Sequence, residues 1–561
     1  MTAADDDRSY LGQLFGSGWN WVAVAVFLFS WWAWGVIAAA IIAALFVSFP
    51  NVSKRSTIHG SARWAEPRDL EQRGLLASSL QGDRYVLGRW NTPVPTSGRG
   101  PAMFPAKGRG RSHPLITTGS KLQGQGGHVD DGHIITVAGT GAGKGVAVVK
   151  PNLMTYVGSV VVLDPKGENY AATFESRLRL GNRVFLVDPF RISGADGARH
   201  IARFNPLDTV AQASVEGRHG DVFDEAAVIA DMIVVTREGE TESHFNDKAK
   251  AFIKTAILFV TYAAPYQDRA KFPLTLLTVK ECILRWFQSP ETIKVFVDVC
   301  RTTPHLESAA GEISMIAGEE RASVLSTVQR HTEFLNAPSV RESLSASDFS
   351  LADLKTQRIS VFLVLPATKL SAYGRLARVW LGALLQAVMR DIAASRHRVL
   401  FMLDEMAQLG TMEPLVQAVS LARGYGVDLW MLFQDINQMR GAYGDRWQTF
   451  FGNAKYQQFF GVRDLETAKY VSELMGKATI VDSDTSTAIG QRADSDQTTT
   501  RTERKLGREL LQPNEVMQLS DDEVLIVVPQ LPPIRARKID TRDQATLAAL
   551  RAMPVQGTGG A

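Results

Sequence analysis

The chain alternates short apolar runs with stretches in which apolar residues recur at helical spacing. Continuously apolar, β-branched runs are typical of parallel strands that are covered on both faces. The run at 159–163 is of this kind, and further strands are predicted at 134–137, 183–187, 359–365, 399–403, 428–433 and 456–460. Helical patterns lie between several of these runs, for example over 171–180, 374–393 and 464–475. The alternation predicts an α/β fold built on a mostly parallel sheet.

A long helical stretch interrupts this alternation. Helical spacing covers 222–235, 247–264, 276–288, 291–299 and 307–335, with few strand signals between them. We therefore predict an inserted all-α domain over 206–354, between a first half of the core at 131–205 and a second half at 355–545. Near the end of the chain we predict an exposed loop or long hairpin at 483–502, closing strands at 523–528 and 535–539, and a tail at 546–561.

Residues 19–50, after a short N-terminal tail at 1–18, form the longest apolar segment. A straight membrane span needs about 20 residues, so the segment predicts one span with an interfacial portion or a tight hairpin. Its central Trp31, Trp32 and Trp34 are residues that favour a membrane interface. A buried helix of a soluble protein is the alternative. Basic residues follow from Lys54 onwards, and the positive-inside rule then predicts that the rest of the chain is cytoplasmic.

The region between this segment and the core, 51–130, is basic and rich in Gly, Pro and Ser. Residues 50–130 contain twelve Lys and Arg against five Asp and Glu. Such a surface suits a polyanion, either lipid headgroups or DNA. A solvated, loop-rich juxtamembrane region explains the composition equally well.

The overall composition adds little to these predictions of fold and function. With 561 residues the chain can form two or three domains, and a net charge of +3 neither indicates nor excludes nucleic acid. The two cysteines, Cys282 and Cys300, match neither a metal-site spacing nor a disulfide framework. They indicate buried thiols in a reducing compartment.

Residues 134–150 read IITVAGTGAGKGVAVVK, an order of strand, glycine-rich loop, lysine and helix. This order is typical of a phosphate-binding loop, in which backbone N–H groups and a helix N-terminus face the anion. Lys144 would reach the β- and γ-phosphates. A glycine-rich turn before a helix is the alternative interpretation. The candidate binding residues are Ala138, Gly139, Thr140, Gly141, Ala142, Gly143, Lys144 and Gly145.

This loop departs from the Walker A pattern at two positions. Ala138 replaces its first glycine, and Gly145 replaces the Ser or Thr whose hydroxyl normally binds Mg²⁺. The usual oxygen ligand is therefore missing.

Acidic residues follow two of the predicted strands. Asp404 and Glu405 come directly after 399–403, which is the Walker B arrangement: the Asp binds Mg²⁺ and the Glu polarises the attacking water. Acidic pairs at strand ends are also common without catalysis. Asp164 and Glu168 follow 159–163, where they could contact nucleotide or a neighbouring subunit, or cap the next helix.

Two further polar residues lie beside the strand at 428–433. Gln434 follows it and could sense the γ-phosphate or orient water, or it could form an ordinary hydrogen bond at the strand end. Arg423 precedes the strand and could act on a neighbouring subunit's nucleotide in a ring, or it could form a local ion pair.

Ten motifs in the cytoplasmic part of the chain resemble, in the same order, those of TraG-like coupling proteins of type IV secretion systems. They are HGSARWA (59–65), the GKG of the glycine-rich loop, PNL (151–153), VLDPKGEN (162–169), NPLD (205–208), LDEMAQLG (403–410), RGYG (423–426), FGNA (451–454), TAKYVSELMG (467–476) and LQPNE (511–515).

The resemblance implies a RecA-like ATPase, anchored in the bacterial inner membrane and assembled as a homo-hexamer, with ATP and Mg²⁺ as cofactors. Such a protein recruits relaxase-bound single-stranded DNA, or protein effectors, to the secretion channel. The helical insertion would face the cytoplasm and recognise substrate. The family usually has two spans around a periplasmic loop, and 19–50 has little room for one.

The resemblance also implies roles for individual residues. Lys144, Asp404 and Glu405 take the Walker roles, Gln434 the sensor position and Arg423 the trans arginine. Because GKG is common in the family, Gly145 marks a subtype, and water or Thr140 could replace the missing hydroxyl. A receptor for protein effectors, in which ATP serves assembly, is one alternative function. An FtsK/HerA-type DNA translocase is the other, although it leaves HGSARWA and DPKGEN unexplained.

Overall fold

The computed structural model describes residues 60–77, 83–91, 94–95, 111–118, 132–235, 243–314, 318–390, 397–488 and 498–552. The N-terminal tail at 1–18 and the membrane segment predicted at 19–50 lie outside these ranges. Within them, no helix combines the length and the apolar composition that a bilayer crossing requires.

Twelve of the described strands form one sheet, in the order β1-β5-β2-β16-β15-β12-β6-β11-β10-β7-β9-β8. The strands are β1 Leu76–Ala77, β2 Val86–Arg89, β3 Val94–Pro95, β4 Arg111–Ser112, β5 Leu115–Thr117, β6 His133–Ala138, β7 Ser159–Leu163, β8 Arg183–Val187, β9 Ile359–Leu363, β10 Val399–Leu403, β11 Val427–Phe433, β12 Ala454–Phe460, β13 Lys477–Ala488, β14 Thr498–Glu509, β15 Glu523–Val527 and β16 Ile534–Arg537.

The seven strands from β12 to β8 in this order are parallel to their neighbours, which confirms the predicted α/β core. Every residue of β7, β9, β10 and β11 is buried. Strands of this kind need apolar side chains on both faces, which explains why their sequences do not alternate between polar and apolar residues.

The other edge of the sheet is antiparallel, from β15 and β16 through β2 and β5 to β1. β15 and β16 are the predicted closing strands. β1, β2 and β5 come from the region 51–130, which the sequence predicts as a juxtamembrane segment leading into the core. That prediction is wrong for these strands: Leu115 and Ile116 are fully buried, and part of the region belongs to the main sheet.

Helices cover both faces of the sheet. They are α1 Pro67–Gln72, α2 Lys150–Thr155, α3 Glu168–Arg179, α4 Gly194–Gly197, α5 Asp208–Val215, α6 His219–Ile233, α7 Ser243–Tyr262, α8 Leu276–Trp286, α9 Pro290–Thr302, α10 Glu307–Ser314, α11 Gly318–Thr332, α12 Pro338–Ser343, α13 Asp353–Thr356, α14 Leu370–Met389, α15 Glu413–Leu421, α16 Ile436–Tyr443, α17 Trp447–Asn453, α18 Leu465–Met475, α19 Pro513–Met517 and α20 Gln544–Arg551.

In its described residues, the insertion between β8 and β9 contains helices from α5 to α13 and no strand. The helical spacing over 307–335 corresponds to α10, α11 and a 3₁₀ turn, Glu333–Asn336. Ile257 of α7 shares one continuous apolar cluster with Val161 and Phe401 of the sheet. The insertion therefore packs into the same hydrophobic core as the sheet.

The predicted C-terminal tail at 546–561 begins inside a helix, so this boundary is wrong. α20 starts at Gln544, after Asp543, whose side chain accepts a hydrogen bond from the Thr546 N–H and caps the helix. Leu550 is fully buried and packs with Met154 of α2. This contact holds α20 against the helix that follows the glycine-rich loop.

Among the described residues, Gly60, Ser61, 477–488 and 498–508 belong to a separate compact unit, in which β13 and β14 pair as a two-stranded sheet. The hairpin interpretation of 483–502 is therefore the one that the strands support. In the same unit, Ser61 bridges to Ala478, and the Thr479 hydroxyl donates a hydrogen bond to the Gly60 carbonyl at 3.1 Å.

Candidate functional site

Four neighbouring parallel strands, β6, β11, β10 and β7, end at the same edge of the sheet. Their registers align, because Leu403 pairs with both Leu163 and Met431. The polar residues that follow the strands therefore come together: the loop from Gly139, then Gln434, then Asp404 and Glu405. Ligands of open α/β sheets bind at this edge.

The glycine-rich loop has a backbone that only glycine adopts easily. Gly141 has a φ of 78° and Gly143 a φ of 89°, both in the left-handed region. The Ala142 N–H donates to the Gly139 carbonyl at 3.1 Å and closes the turn. The Lys144 side chain, 11% exposed, lies at the start of the following helical segment. A loop of this shape before a helix suits an anion.

The segment after Lys144 is a π-helical turn, Gly145–Val149, that continues into α2. Pro151 explains this geometry, since in an α-helix its ring would clash with the Ala147 carbonyl. Pro151 also has no N–H for the Val146 carbonyl five residues before it. Thr541 supplies the missing donors: its N–H and its hydroxyl both reach the Val146 oxygen, at 3.2 and 3.0 Å.

Lys538 makes a second contact with the loop that the sequence does not predict. Its Nζ donates to the Ala142 carbonyl at 2.8 Å. Lys538 and Thr541 are nearly 400 residues away from the loop in sequence, at separations of 396 and 395. No short motif connects the two segments, so only the fold reveals that the C-terminal part braces the loop.

The acidic pair at the end of β10 is held in a specific geometry. Glu405 has a φ of 55°, the left-handed region that costs a non-glycine residue about 1 kcal/mol or more and often marks functional sites. Its N–H donates to Asp404 Oδ1 at 3.1 Å, and its Oε1 lies 3.9 Å from Lys144 Nζ. Burial raises the pKa of Asp404 to about 6, which the positive charge of Lys144 opposes.

Gln434 connects the acidic pair to the glycine-rich loop. Its Nε2 donates to both carboxylate oxygens of Glu405 at 3.0 Å, and its Oε1 accepts from the Thr140 hydroxyl at 2.9 Å. Gln408 adds a further donor to Glu405 Oε2 at 3.1 Å. The amide therefore makes a strand-terminal hydrogen bond, and its partners are the predicted phosphate loop and the predicted catalytic carboxylate.

Asp164 caps the helix that follows it, as one of the two interpretations predicts. Its Oδ2 accepts from the Tyr170 N–H at 2.9 Å, and its Oδ1 accepts from Asn169 Nδ2 at 3.3 Å. Burial, with a contribution from the charge of Asp404, raises the pKa of Asp164 to about 6. Glu168 is the exposed first residue of α3.

Arg423 lies far from the other candidate site residues of its own chain. It is exposed in a 3₁₀ turn, Ala422–Tyr425, directly before β11, whereas Gln434 directly follows that strand. At about 3.3 Å per residue, the strand separates the two positions by about 20 Å. A role on the nucleotide of the same chain is therefore excluded by geometry.

Arg378 of α14 connects the insertion to the segment that follows Glu405. It is buried, and its Nε donates to the carbonyl of Met232 in α6 at 3.1 Å. Its Nη1 donates to the carbonyls of Leu409 and Thr411, at 2.9 and 2.6 Å. Burial lowers its pKa to about 10, so the group stays charged at neutral pH.

The parallel α/β sheet and the glycine-rich loop at a strand end resemble those of P-loop nucleotide-binding proteins. The family described as Type IV secretory system Conjugative DNA transfer matches residues 102–548, which is more than half of the chain. The chain belongs to this family. The resemblance to TraG-like coupling proteins, predicted from ten short motifs, is confirmed.

Curated relatives agree with this assignment. The chain is 26% identical to the type IV secretion system-coupling protein VirD4 of Bartonella quintana, over 96% of this chain and 82% of the relative. It is 29% identical to the conjugal transfer protein TraG of Escherichia coli, over 82% of this chain and 71% of the relative.

Solved structures share the fold. The unbound monoclinic form of the conjugative coupling protein TrwBdeltaN70 superimposes with a TM-score of 0.52 at 14% identity, over 72% of this chain and 84% of that chain. TrwB in complex with ADP and Mg²⁺ gives a TM-score of 0.52 at 12% identity, over 82% and 95%.

Proposed function

We propose that the protein is an ATPase that moves relaxase-bound single-stranded DNA into a type IV secretion channel. The observation that carries this proposal is the link between the loop and the acidic pair. Glu405 accepts two hydrogen bonds from Gln434, which is bonded to Thr140, and lies 3.9 Å from Lys144. The cation of Lys144, the carboxylate of Glu405 and the amide of Gln434 thus lie together beside a loop of the phosphate-binding kind. The chain that carries them belongs to a DNA-transfer family.

Each group has a role that its chemistry suits. The loop backbone from Ala138 to Gly145 and Lys144 would bind the phosphates, while Asp404 would hold the Mg²⁺ that neutralises charge on the phosphate oxygens. Glu405 would accept a proton from the attacking water, which Gln434 would help to orient. The buried, oxygen-bearing end of β10 fits Mg²⁺, which usually binds one or two carboxylates together with substrate phosphates.

Membrane attachment and assembly are further parts of the proposal. Residues 19–50 are uncharged and apolar over a length that can cross a bilayer, and basic residues follow them. We propose that this segment anchors the protein in the inner membrane, with the bulk of the chain in the cytoplasm. The solved complex of TrwB with ADP and Mg²⁺ supports the same ligands here. A homo-hexameric ring would provide the subunit interfaces at which ATP acts.

Single-stranded DNA is expected to stimulate ATP hydrolysis by the purified protein, and the stimulation is expected to decrease as salt rises. The contact would be mainly with phosphates, so binding should weaken with a slope of about −0.7 per neutralised phosphate in a log–log plot. Steady-state phosphate release at several salt concentrations, with and without an unrelated-sequence oligonucleotide, measures both effects. A linear polyanion such as heparin serves as the control for nonspecific charge.

Hydrolysis that is indifferent to DNA at every salt concentration would contradict a DNA motor. If a purified protein effector then stimulated hydrolysis instead, the receptor for protein cargo would be the better description of the same ATPase.

Arg423→Ala is expected to reduce hydrolysis in the assembled ring by about 10²-fold or more, while ATP binding by a single subunit is unchanged. Arg423 lies at the edge of the sheet opposite the site of its own chain, so any contact with a phosphate must be made with a neighbour's nucleotide. Arginines supplied in trans stabilise the charge of the transition state and contribute large rate factors.

Mixing experiments separate this role from a structural one. In rings mixed from Arg423→Ala and Lys144→Ala subunits, some sites combine an intact Lys144 with an intact Arg423 from the neighbour, so hydrolysis should partly return. Arg446→Ala, at an exposed arginine paired with Glu413, is the matched control and should hydrolyse ATP normally. Absence of any recovery in mixed rings would argue against action in trans.

A further inference from the structure

Gly145 leaves an open space where the loop usually carries a hydroxyl side chain. If a Cβ were built on Gly145, its one neighbour within 4 Å among the described atoms, outside its own helix and chain neighbours, would be Oδ1 of Asn169, at 3.8 Å. Asn169 belongs to the DPKGEN motif at the start of α3. The neutral amide oxygen of Asn169 therefore faces the place where a Ser or Thr hydroxyl would lie.

The orientation of this carboxamide is fixed by its neighbours. Asn169 is 5% exposed, and its Nδ2 donates to Asp164 Oδ1 at 3.3 Å. Asp164 is itself held, since its Oδ2 accepts from the Tyr170 N–H. Because the amide nitrogen is turned towards Asp164, the amide oxygen is turned away from it, and this oxygen is the atom that faces Gly145.

The surroundings also suit a divalent cation. β7 and β10 are adjacent, and Leu163 pairs with Leu403, so Asp164 and Asp404 follow paired residues at the same edge. By contrast, the Thr140 hydroxyl is already bonded to Gln434. Carboxylates and amide carbonyls are the oxygen ligands that hard cations prefer.

We propose that Asn169 Oδ1 supplies the protein oxygen that Gly145 cannot, and binds the Mg²⁺ of the bound nucleotide directly or through one of its waters. Asp164 is then a positioning residue that sets the orientation of the amide. The inference rests on the proposed function, because it requires a nucleotide at the glycine-rich loop. The inference assigns a metal-binding role to the DPKGEN motif. The chemistry of the phosphate loop alone does not explain why this motif is present.

The test measures metal binding and does not depend on turnover. The full-length protein in detergent is titrated with ADP, once in the presence of Mg²⁺ and once in the presence of EDTA. In a second measurement, Mn²⁺ binding to the ADP complex is followed by electron paramagnetic resonance. Asn169→Ala is expected to weaken Mn²⁺ binding about tenfold, as loss of a ligand or of a ligand's support commonly does, and to leave ADP binding in EDTA unchanged.

A second substitution should restore the metal site. Gly145 is in a helical turn without a left-handed φ, and an added Cβ meets Asn169 Oδ1 only at ordinary contact distance. Gly145→Ser in the Asn169→Ala background is therefore expected to recover Mn²⁺ affinity, because it returns a hydroxyl to the usual place. Gly145→Ala in the same background is the matched control and should recover nothing.

The outcomes are distinct. Wild-type Mn²⁺ affinity in Asn169→Ala would overturn the inference, and so would equal recovery by Ser and Ala at position 145. If the wild-type protein binds no ADP with or without metal, the proposed function fails instead. Asn169→Leu keeps the side-chain volume, so it provides the same comparison if the smaller alanine prevents folding.

Discussion

Glu405→Gln is expected to bind ATP as tightly as the wild type and to hydrolyse it at least about 10²-fold more slowly. The carboxylate of Glu405 is the group that can take a proton from water, and general bases contribute about 10² to 10⁴ in rate. Glutamine has nearly the same shape but no basic oxygen. Equilibrium binding of labelled ATP, followed by single-turnover hydrolysis, separates the two steps.

The structure explains why binding should survive this substitution. Glu405 contacts Gln434, Gln408 and Lys144 through its side chain. Within the described part of the chain, it makes no hydrogen bond to the backbone of the glycine-rich loop. Glu413→Gln, at an exposed glutamate in the next helix, is the matched control and should hydrolyse ATP normally. Loss of ATP binding in Glu405→Gln would assign the residue a structural role.

Lys144→Ala is expected to lower ATP affinity by about 10²-fold or more and to reduce hydrolysis to background. Lys144 is the cation closest to the acidic pair, with Nζ 3.9 Å from Glu405. Without it, a triphosphate would approach two carboxylates with no opposing charge on the loop. Ion pairs in partly buried sites are worth several kcal/mol at an effective dielectric constant near 20, which is enough for this loss.

Titration with a fluorescent ATP analogue and a steady-state phosphate assay measure these effects. Lys150→Ala, six residues further along the same helical segment, is the matched control and should retain both binding and hydrolysis. Wild-type turnover in Lys144→Ala would show that the glycine-rich loop is not the ATP site.

Much of the parallel core could be predicted because its signal is local. β7, β8 and β10 have the predicted bounds. In β7 and β10, continuous apolar runs bury both faces of the strand. The order of the strands could not be predicted. β6 lies between β11 and β12, which come about 300 residues later in the chain, and such pairing depends on the whole fold.

The same distinction applies to the site. The proximity of the loop, Asp404, Glu405 and Gln434 could be predicted from sequence because each lies at the end of a recognisable strand. Thr541 and Lys538 could not, because their partners in the loop accept through backbone carbonyls, which leave no trace in the sequence. The strands at 76–117 were missed because they are two to four residues long and lie in a polar, glycine-rich and proline-rich region.

Arg378 gives the molecule a thermodynamic property beyond its packing. One guanidinium holds carbonyls of α6 and of the segment after Glu405, and a buried hydrogen bond to a charged group is costly to break. If the ATP-bound site moves this segment, α6 must follow or lose the bond. Linkage then requires reciprocity: a cargo on the insertion that tightens ATP binding by a given factor is itself bound more tightly by that same factor when ATP is present.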